Sequence, residues 1–419
     1  MGGVRGAGAQ AALAALSLLT NLLGYGFTVV MSHALPVSRF GELGALVGVV
    51  VTASVAGTAW QAVVARRVAS GERPAPGAVL TDTAVVSVGV GVLVLALVPA
   101  LRALLAVEGW AALLWLAASM APTTFAYGLQ GLVQGEQRLV TLGVLLAGVQ
   151  AAKFLAALVA AATGGSIPLA FLLTLVLTAA AVAVAVPVVV GARFGAPTLS
   201  RTGVAALLRD AGSLLGVLLL TTLDLVLARR ELDATASGLY AAGNVLTRGA
   251  FWAPTFVALA GYARFADRHH RAPALRQAVL VLGALGAVAV LVGWLGADLL
   301  PLVLGRDYRA VTGQLWLFAA QGVALAGLQL AVYAGLAVHD RRPAVLLWTL
   351  AVVEVVVTTV AHGSVATVIA TVAGLSWLTL AVTVGLLVLR PSPLERQWAA
   401  ASQFGPTPTE TSSGTAPRE

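Results

Sequence analysis

Four charged side chains stand inside runs that otherwise resemble hydrocarbon: Lys153, Asp224, Arg248 and Glu354. A charge near the bilayer centre costs at least ~2.5–3.5 kcal/mol on insertion scales, so such residues usually face a bundle interior or a watery cavity. Arg248 closes the series Tyr240, Asn244, Arg248, spaced i, i+4, i+8 and therefore read as one helix stripe. The first apolar segment carries a comparable stripe, Ser17, Asn21 and Tyr25. A guanidinium donates paired hydrogen bonds to phosphate oxygens. Arg248 thus suits a pyrophosphate or an acidic sugar, bound in a cavity that the two stripes line. It suits a buried carboxylate equally well, and the residue type leaves both readings open.

Asp224 lies in "LLLTTLDLVLARR", residues 218–230. At 1.5 Å per residue it is roughly 10 Å below the following turn, and its depth differs from that of Arg248 by roughly 8 Å. It reads as an ion-coupling carboxylate, as a switch partner for Arg248, or as the local counter-charge of Arg229 and Arg230. Lys153, in "GVQAAKFLAAL", and Glu354, in "LAVVEVVVTTV", have no opposite charge within a turn. They read as proton-relay groups or as halves of interhelical ion pairs. Gln130, Gln134, Gln314, Gln321 and Gln329 fit sugar hydroxyls, or hydrogen bonds between neighbouring helices.

Other chemistry is poorly provided for. None of the five histidines has zinc-ligand spacing, and cysteine is absent, which excludes disulfides and thiolate catalysis. Gly89 and Gly91 lie inside an apolar run with no strand before them, so they form no phosphate loop. There is no Walker A motif, hence no ATP hydrolysis by this chain, and no metal, catalytic group or cofactor is expected.

The elements that position these residues follow from composition. Of 419 residues, 59% are hydrophobic and only 10% charged, with a mean hydropathy of +0.94. A soluble domain is about 25% charged, so this is a polytopic membrane protein. The 45 glycines suit helices that associate by close backbone approach in lipid. Runs of about 20 apolar residues mark membrane helices. Twelve are read: 8–32, 42–64, 79–101, 109–132, 139–162, 168–191, 206–228, 237–261, 275–297, 311–336, 343–361 and 366–389. Residues 391–419, rich in Pro, Ser, Thr and Gly, read as a disordered tail.

Alternating the connections puts sixteen arginines on one side, from Arg5 through Arg66, Arg67 and Arg138 to Arg396, and six on the other. Those six are Arg39, Arg102, Arg229, Arg230, Arg306 and Arg309. The positive-inside rule puts the richer side, with both termini, in the cytoplasm. The net charge of +8 therefore marks topology in the plasma membrane, not nucleic-acid binding.

The halves echo each other. "LPVSRFGELGALVGVVV" (35–51) aligns with "LDATASGLYAAGNVLTR" (232–248), setting Gly41 against Gly238. "ARRVASGER" (65–73) matches "ARFADRHHR" (263–271), and "GLVQGEQR" (131–138) matches "GLAVHDRR" (335–342). Two six-helix bundles, 1–195 and 196–390, related by a pseudo-two-fold along the membrane normal, are the expected architecture.

Several stretches carry a family resemblance. They are "VVMSHALPVSRFGELGALVGVV" with "ARRVASGE", "YGLQGLVQGEQRL", "LDLVLARRELDATASGLYAAGNVLTR", and "LGRDYRAVTGQLWLFAAQGVALAGLQLAVYAGLAVHDRR". In these the chain resembles the oligosaccharide and polysaccharide flippase branch of the multidrug/oligosaccharidyl-lipid/polysaccharide exporter superfamily. The resemblance implies a central cavity, alternating access, and a cargo of oligosaccharide on an undecaprenyl-type lipid, moved from the cytoplasmic to the outer leaflet for envelope or extracellular polysaccharide. Membrane lipids, the lipid-linked glycan, and polysaccharide polymerase or glycosyltransferase enzymes are the implied partners, and a monomer the implied state. A multidrug or cation antiporter and a lipid II flippase of the same superfamily are the alternatives. A membrane-embedded glycosyltransferase or polymerase is the enzyme alternative. It would need carboxylates or His on a sizeable outer loop, and the richest one here is "RRELDATASG" with Glu231 and Asp233.

Overall fold

Backbone amides inside a bilayer have no water to bond, so each apolar run closes its own hydrogen bonds as a helix. The computed structural model describes residues 2–69, 76–107, 109–191, 216, 219–265, 271–336, 338, 340, 342–361 and 363–389, without the side chains of 2–7, 9, 76, 253–265, 271, 297, 336, 388 and 389. The first half holds α1 (Gly2–Ala34), α2 (Val37–Ala69), α3 (Pro76–Leu105), α4 (Ala111–Gly135), α5 (Leu139–Ala162) and α6 (Ile167–Val190). The second holds α7 (219–231), α8 (Ala234–Phe265), α9 (Arg271–Leu295), α10 (Leu315–Leu336), α11 (Arg342–Val360) and α12 (Val365–Leu389). By length and composition alone, ten of the described helices suffice to cross a membrane.

Most predicted spans are recovered, several with longer ends, while residues 206–215, 217 and 218 of the seventh lie outside the described residues. α1 and α2 are 33 residues each, about 50 Å at 1.5 Å per residue, whereas the hydrocarbon core is about 30 Å thick. Apolarity reports only the part in hydrocarbon, so helix termini in the headgroup zone escape it. The tenth span was placed too early. Residues 306–314 form a 3₁₀ helix and α10 begins at Leu315. A 3₁₀ turn and a short helix, Ala297–Leu299 and Leu300–Leu304, also occupy what reads in sequence as a plain turn. The junction between halves near 195 and the tail 391–419 lie outside the described residues.

Packing is duplicated six helices apart. α4 is the hub of the first half, gripping α2, α3 and α6, and α10 grips α8, α9 and α12 in the second. The halves meet chiefly through α2 and α8. Side-chain contacts between the halves cluster toward the end of the bundle that carries the arginine-poor turns. A Cβ on Gly41 would collide with Ser237 and the Gly238 amide, and one on Gly238 would collide with the Val37 carbonyl. One turn on, a Cβ on Gly44 would lie 2.7 Å from that of Ala241. Only glycine permits this approach, which is how lipid-embedded helices gain close packing.

The seam extends beyond this pair. Thr52 and Thr222 share a hydrogen bond of 2.8 Å between α2 and α7. Arg229, on α7, donates to the carbonyls of Leu105 (3.2 Å) and Ser38 (3.5 Å) in the other half and to Ser237 Oγ (3.3 Å). Tyr308 donates to the Ser32 carbonyl at 3.3 Å and stacks edge-on against Phe40 at 5.3 Å. The two halves are thus closed on each other at the arginine-poor end.

Candidate functional site

Asp224 is fully buried on α7 and is the centre of a polar network inside the second half. Its Oδ2 accepts from Tyr240 Oη (3.0 Å), Asn244 Nδ2 (2.9 Å) and Gln321 Nε2 (3.1 Å). Its Oδ1 accepts from the Leu225 amide at 2.8 Å. Four neutral donors thus converge on one carboxyl, the acceptor-only pattern of an ionised group. Gln321 is held by Thr247, whose hydroxyl lies 3.2 Å from Oε1 and donates to the Phe318 carbonyl at 2.9 Å. α7, α8 and α10 are therefore tied together at one level. Tyr240 also stacks edge-on against Phe318 at 5.1 Å.

This geometry corrects two expectations. Asp224 does not neutralise Arg229 or Arg230: Arg229 reaches into the first half, and Arg230 pairs with Glu231 at 3.3 Å. The stripe Tyr240, Asn244, Arg248 also does not face the cleft as a unit. Tyr240 and Asn244 are 0% and 1% exposed and turn inward onto Asp224. The reason is helical pitch. At 3.6 residues per turn, positions i and i+8 diverge by about 80°, so Arg248 leaves the face that its predecessors share.

Arg248 instead lies beside the first half. A Cβ on its neighbour Gly249 would sit 3.5 Å from the Tyr25 hydroxyl of α1. The guanidinium is near enough to interact electrostatically with Asp224 and Tyr25. Its Nε and Nη2 are nonetheless buried with no hydrogen-bond partner among the described residues. The alternative of a direct ion pair between Arg248 and a buried carboxylate is not realised among them. On α1, Tyr25 and Asn21 are exposed and Ser17 is half-buried, on the face turned away from the α5 contact at Leu16.

Glu354, on α11, is 1% exposed, and its Oε1 has no partner among the described residues. It lies near enough to Asp224 to interact with it electrostatically, so two carboxyls share the interior of the second half. Lys153 on α5 belongs to the other half, where no ion pair meets it among the described residues. It points away from the lipid-facing side of α5, which Val144, Leu155 and Val159 mark by their exposure. The ion pairs expected within each half for Lys153 and Glu354 are therefore absent from the described residues.

Two glutamines take the helix-bonding role: Gln321 as above, and Gln134, which accepts from Gln61 Nε2 at 2.8 Å. Gln130 and Gln314 keep a buried Oε1 without a partner among the described residues, while Gln329 is 4% exposed. The sequence reading did not connect Gln321 or Thr247 with Asp224. The available signal was depth, since Asp224 and Tyr240 each lie about two turns from the 231–234 turn.

No protein-family model matches the sequence, and no curated protein sequence gives a match. Solved structures do. An inward-facing multidrug resistance MATE family transporter of the MOP superfamily superposes with a TM-score of 0.69, at 14% identity over 92% of this chain and 96% of the other. An outward-facing one gives 0.64 at 14% identity, over 92% and 96%. The eukaryotic MATE transporter AtDTX14 gives 0.62 at 10% identity, over 94% and 99%. At these identities the likeness is one of fold. These neighbours are transporters, and the chain shares their fold, an all-helical membrane fold of two bundles.

Proposed function

We propose that the protein is an alternating-access flippase moving an undecaprenyl-type lipid-linked oligosaccharide from the inner to the outer leaflet of the plasma membrane. It acts as a monomer with both termini cytoplasmic and supplies polysaccharide polymerase or glycosyltransferase partners. The observation that carries this reading is Arg248, whose Nε and Nη2 have no partner among the described residues and whose neighbour Gly249 lies against Tyr25 of the first half. An arginine with free N–H donors at the contact between the halves is suited to a diphosphate, which accepts paired N–H donors. The exposed Asn21, on the stripe of Tyr25, adds an amide group on the first-half side. The test is the lipid fraction of a strain lacking the protein. A lipid-linked glycan trapped on the cytoplasmic side supports the reading, and an unchanged lipid profile with raised drug sensitivity refutes it.

A cation-coupled antiporter is the second reading, and Glu354 favours it. Ionising Asp224, Glu354 and Arg248 together would leave one negative charge over in a low-dielectric interior. A proton or a monovalent cation on Glu354 would balance it, and its unpartnered Oε1 offers the contact. The two readings are compatible if that ion drives the flippase.

A further inference from the structure

Residues 306–314, RDYRAVTGQ, form a 3₁₀ helix, in which side chains at i and i+3 eclipse. Tyr308 and Val311 share one face, and each is 1% exposed. Arg306 and Arg309 share another and are exposed. Asp307 lies about a third of a turn away, on the face of Ala310 and Gly313. The two guanidiniums are thus adjacent and carry no acid on their own face.

The surroundings are outward-facing and mostly apolar, with one exposed carboxylate, Asp298, in the turn Ala297–Leu299. Leu299 and Leu302, in the turns just before, are 57% and 78% exposed, and Trp294 and Leu295 at the end of α9 are each 68% exposed. Trp316 at the start of α10 is exposed too. Apolar exposure this dense faces lipid, not water, and tryptophans at the ends of membrane helices sit at headgroup level. The arginine pair therefore stands where lipid headgroups lie.

Arginines on this side run against the positive-inside trend and need local reasons. Four have them: Arg39 pairs with Glu42 at 3.2 Å, Arg102 stacks on Trp110 at 4.5 Å, Arg230 pairs with Glu231, and Arg229 binds across the seam. Arg306 and Arg309 have no ion-pair or side-chain hydrogen-bond partner among the described residues. We propose that Arg306 and Arg309 form a docking site for the phosphodiester headgroup of an acidic membrane lipid, whose chains lie along Leu299, Leu302 and Trp294.

Native mass spectrometry of the full chain released from micelles tests this, with phosphatidylglycerol or phosphatidylcholine as the probe lipid. A basic residue near an acidic headgroup is worth about fivefold in affinity. Arg306→Gln with Arg309→Gln should therefore weaken phosphatidylglycerol retention about 25-fold and leave phosphatidylcholine retention unchanged. Asp307→Asn, which removes the nearby negative charge, should strengthen phosphatidylglycerol retention, and it decides the matter if the double variant does not fold. Inorganic phosphate at millimolar concentration should not displace the lipid. Equal phosphatidylglycerol retention by the folded double variant overturns the proposal. So does equal retention of the two lipids by the native chain, displacement by phosphate, or no gain for Asp307→Asn.

Discussion

Gly41 and Gly238, which the internal repeat sets in register, pack directly against each other across the seam between the halves. The next equivalent pair, Gly44 and Ala241, does the same. Residues meet their own counterparts where a two-fold axis passes, so the axis runs between α2 and α8. The same offset of 197 relates two flanking contacts. Thr52 meets Thr222, and in the position of that pair Gly249 meets Tyr25. One of the two is a threonine pair, and the other brings Arg248 to α1. The symmetric frame is thus closed twice, by a structural hydrogen bond on one side and by the candidate site on the other.

In the proposed alternating-access cycle the closed seam opens to release cargo at the arginine-poor end. The chain lacks cysteine, so introduced pairs report without background. A Cβ on Gly48 would lie 3.4 Å from that of Thr222, close to the spacing of disulfides. Gly48→Cys with Thr222→Cys should cross-link on oxidation and stop export, and reduction should restore it. Export that continues after complete cross-linking would show that this seam does not open.

A bulkier residue should act in the opposite sense. Gly238→Val places side-chain carbons onto the Val37 carbonyl, a backbone atom that cannot turn aside. The arginine-poor end should then stay open, and Ser32→Cys, buried beneath Tyr308, should react with an impermeant thiol reagent several times faster in that background. An unchanged labelling rate would contradict the assignment of Gly238 to the seal.

Much of this frame was legible in the sequence, because a bilayer admits few solutions. Apolar run length gave the helices, and the match of Gly41 to Gly238 gave the axis. What stayed hidden was direction. Tyr240, Asn244 and Arg248 share a spacing, but the drift of the helix face sends the first two into the bundle and the third toward Tyr25 of α1. The partners of Asp224 were equally hidden, since Gln321 is 97 residues away and only the packing of α10 on α8 brings it near. Residues 298–310 read as a turn and 311–314 as the start of a span, because short helices and 3₁₀ turns leave no periodic signature long enough to see.

The Asp224 network should be graded by how many buried groups each change strands. Tyr240→Phe removes one of four donors and should cost about 1–2 kcal/mol of stability. Asp224→Ala leaves the Tyr240, Asn244 and Gln321 donors without their acceptor and should cost about 3 kcal/mol or more. Asp224→Asn should fall between them. Denaturant titration in micelles checks the order, and an Asp224→Ala protein as stable as Tyr240→Phe would break it.

Glu354→Gln removes a carboxyl that can take up or release an ion in the interior of the second half, and it should leave folding intact. If an ion on Glu354 drives transport, export by this variant should no longer respond to dissipation of the proton or sodium gradient. A full response to one of those gradients would exclude Glu354 from coupling.

Whether Arg248 holds a diphosphate is read most directly from flipping of a diphosphate-linked oligosaccharide lipid by the purified protein in proteoliposomes. Arg248→Ala should lower the rate at least a hundredfold with folding preserved, and Arg248→Lys, which keeps the charge but not the paired donors, should recover only part of it. An Arg248→Ala protein that flips this lipid at the native rate would contradict the account.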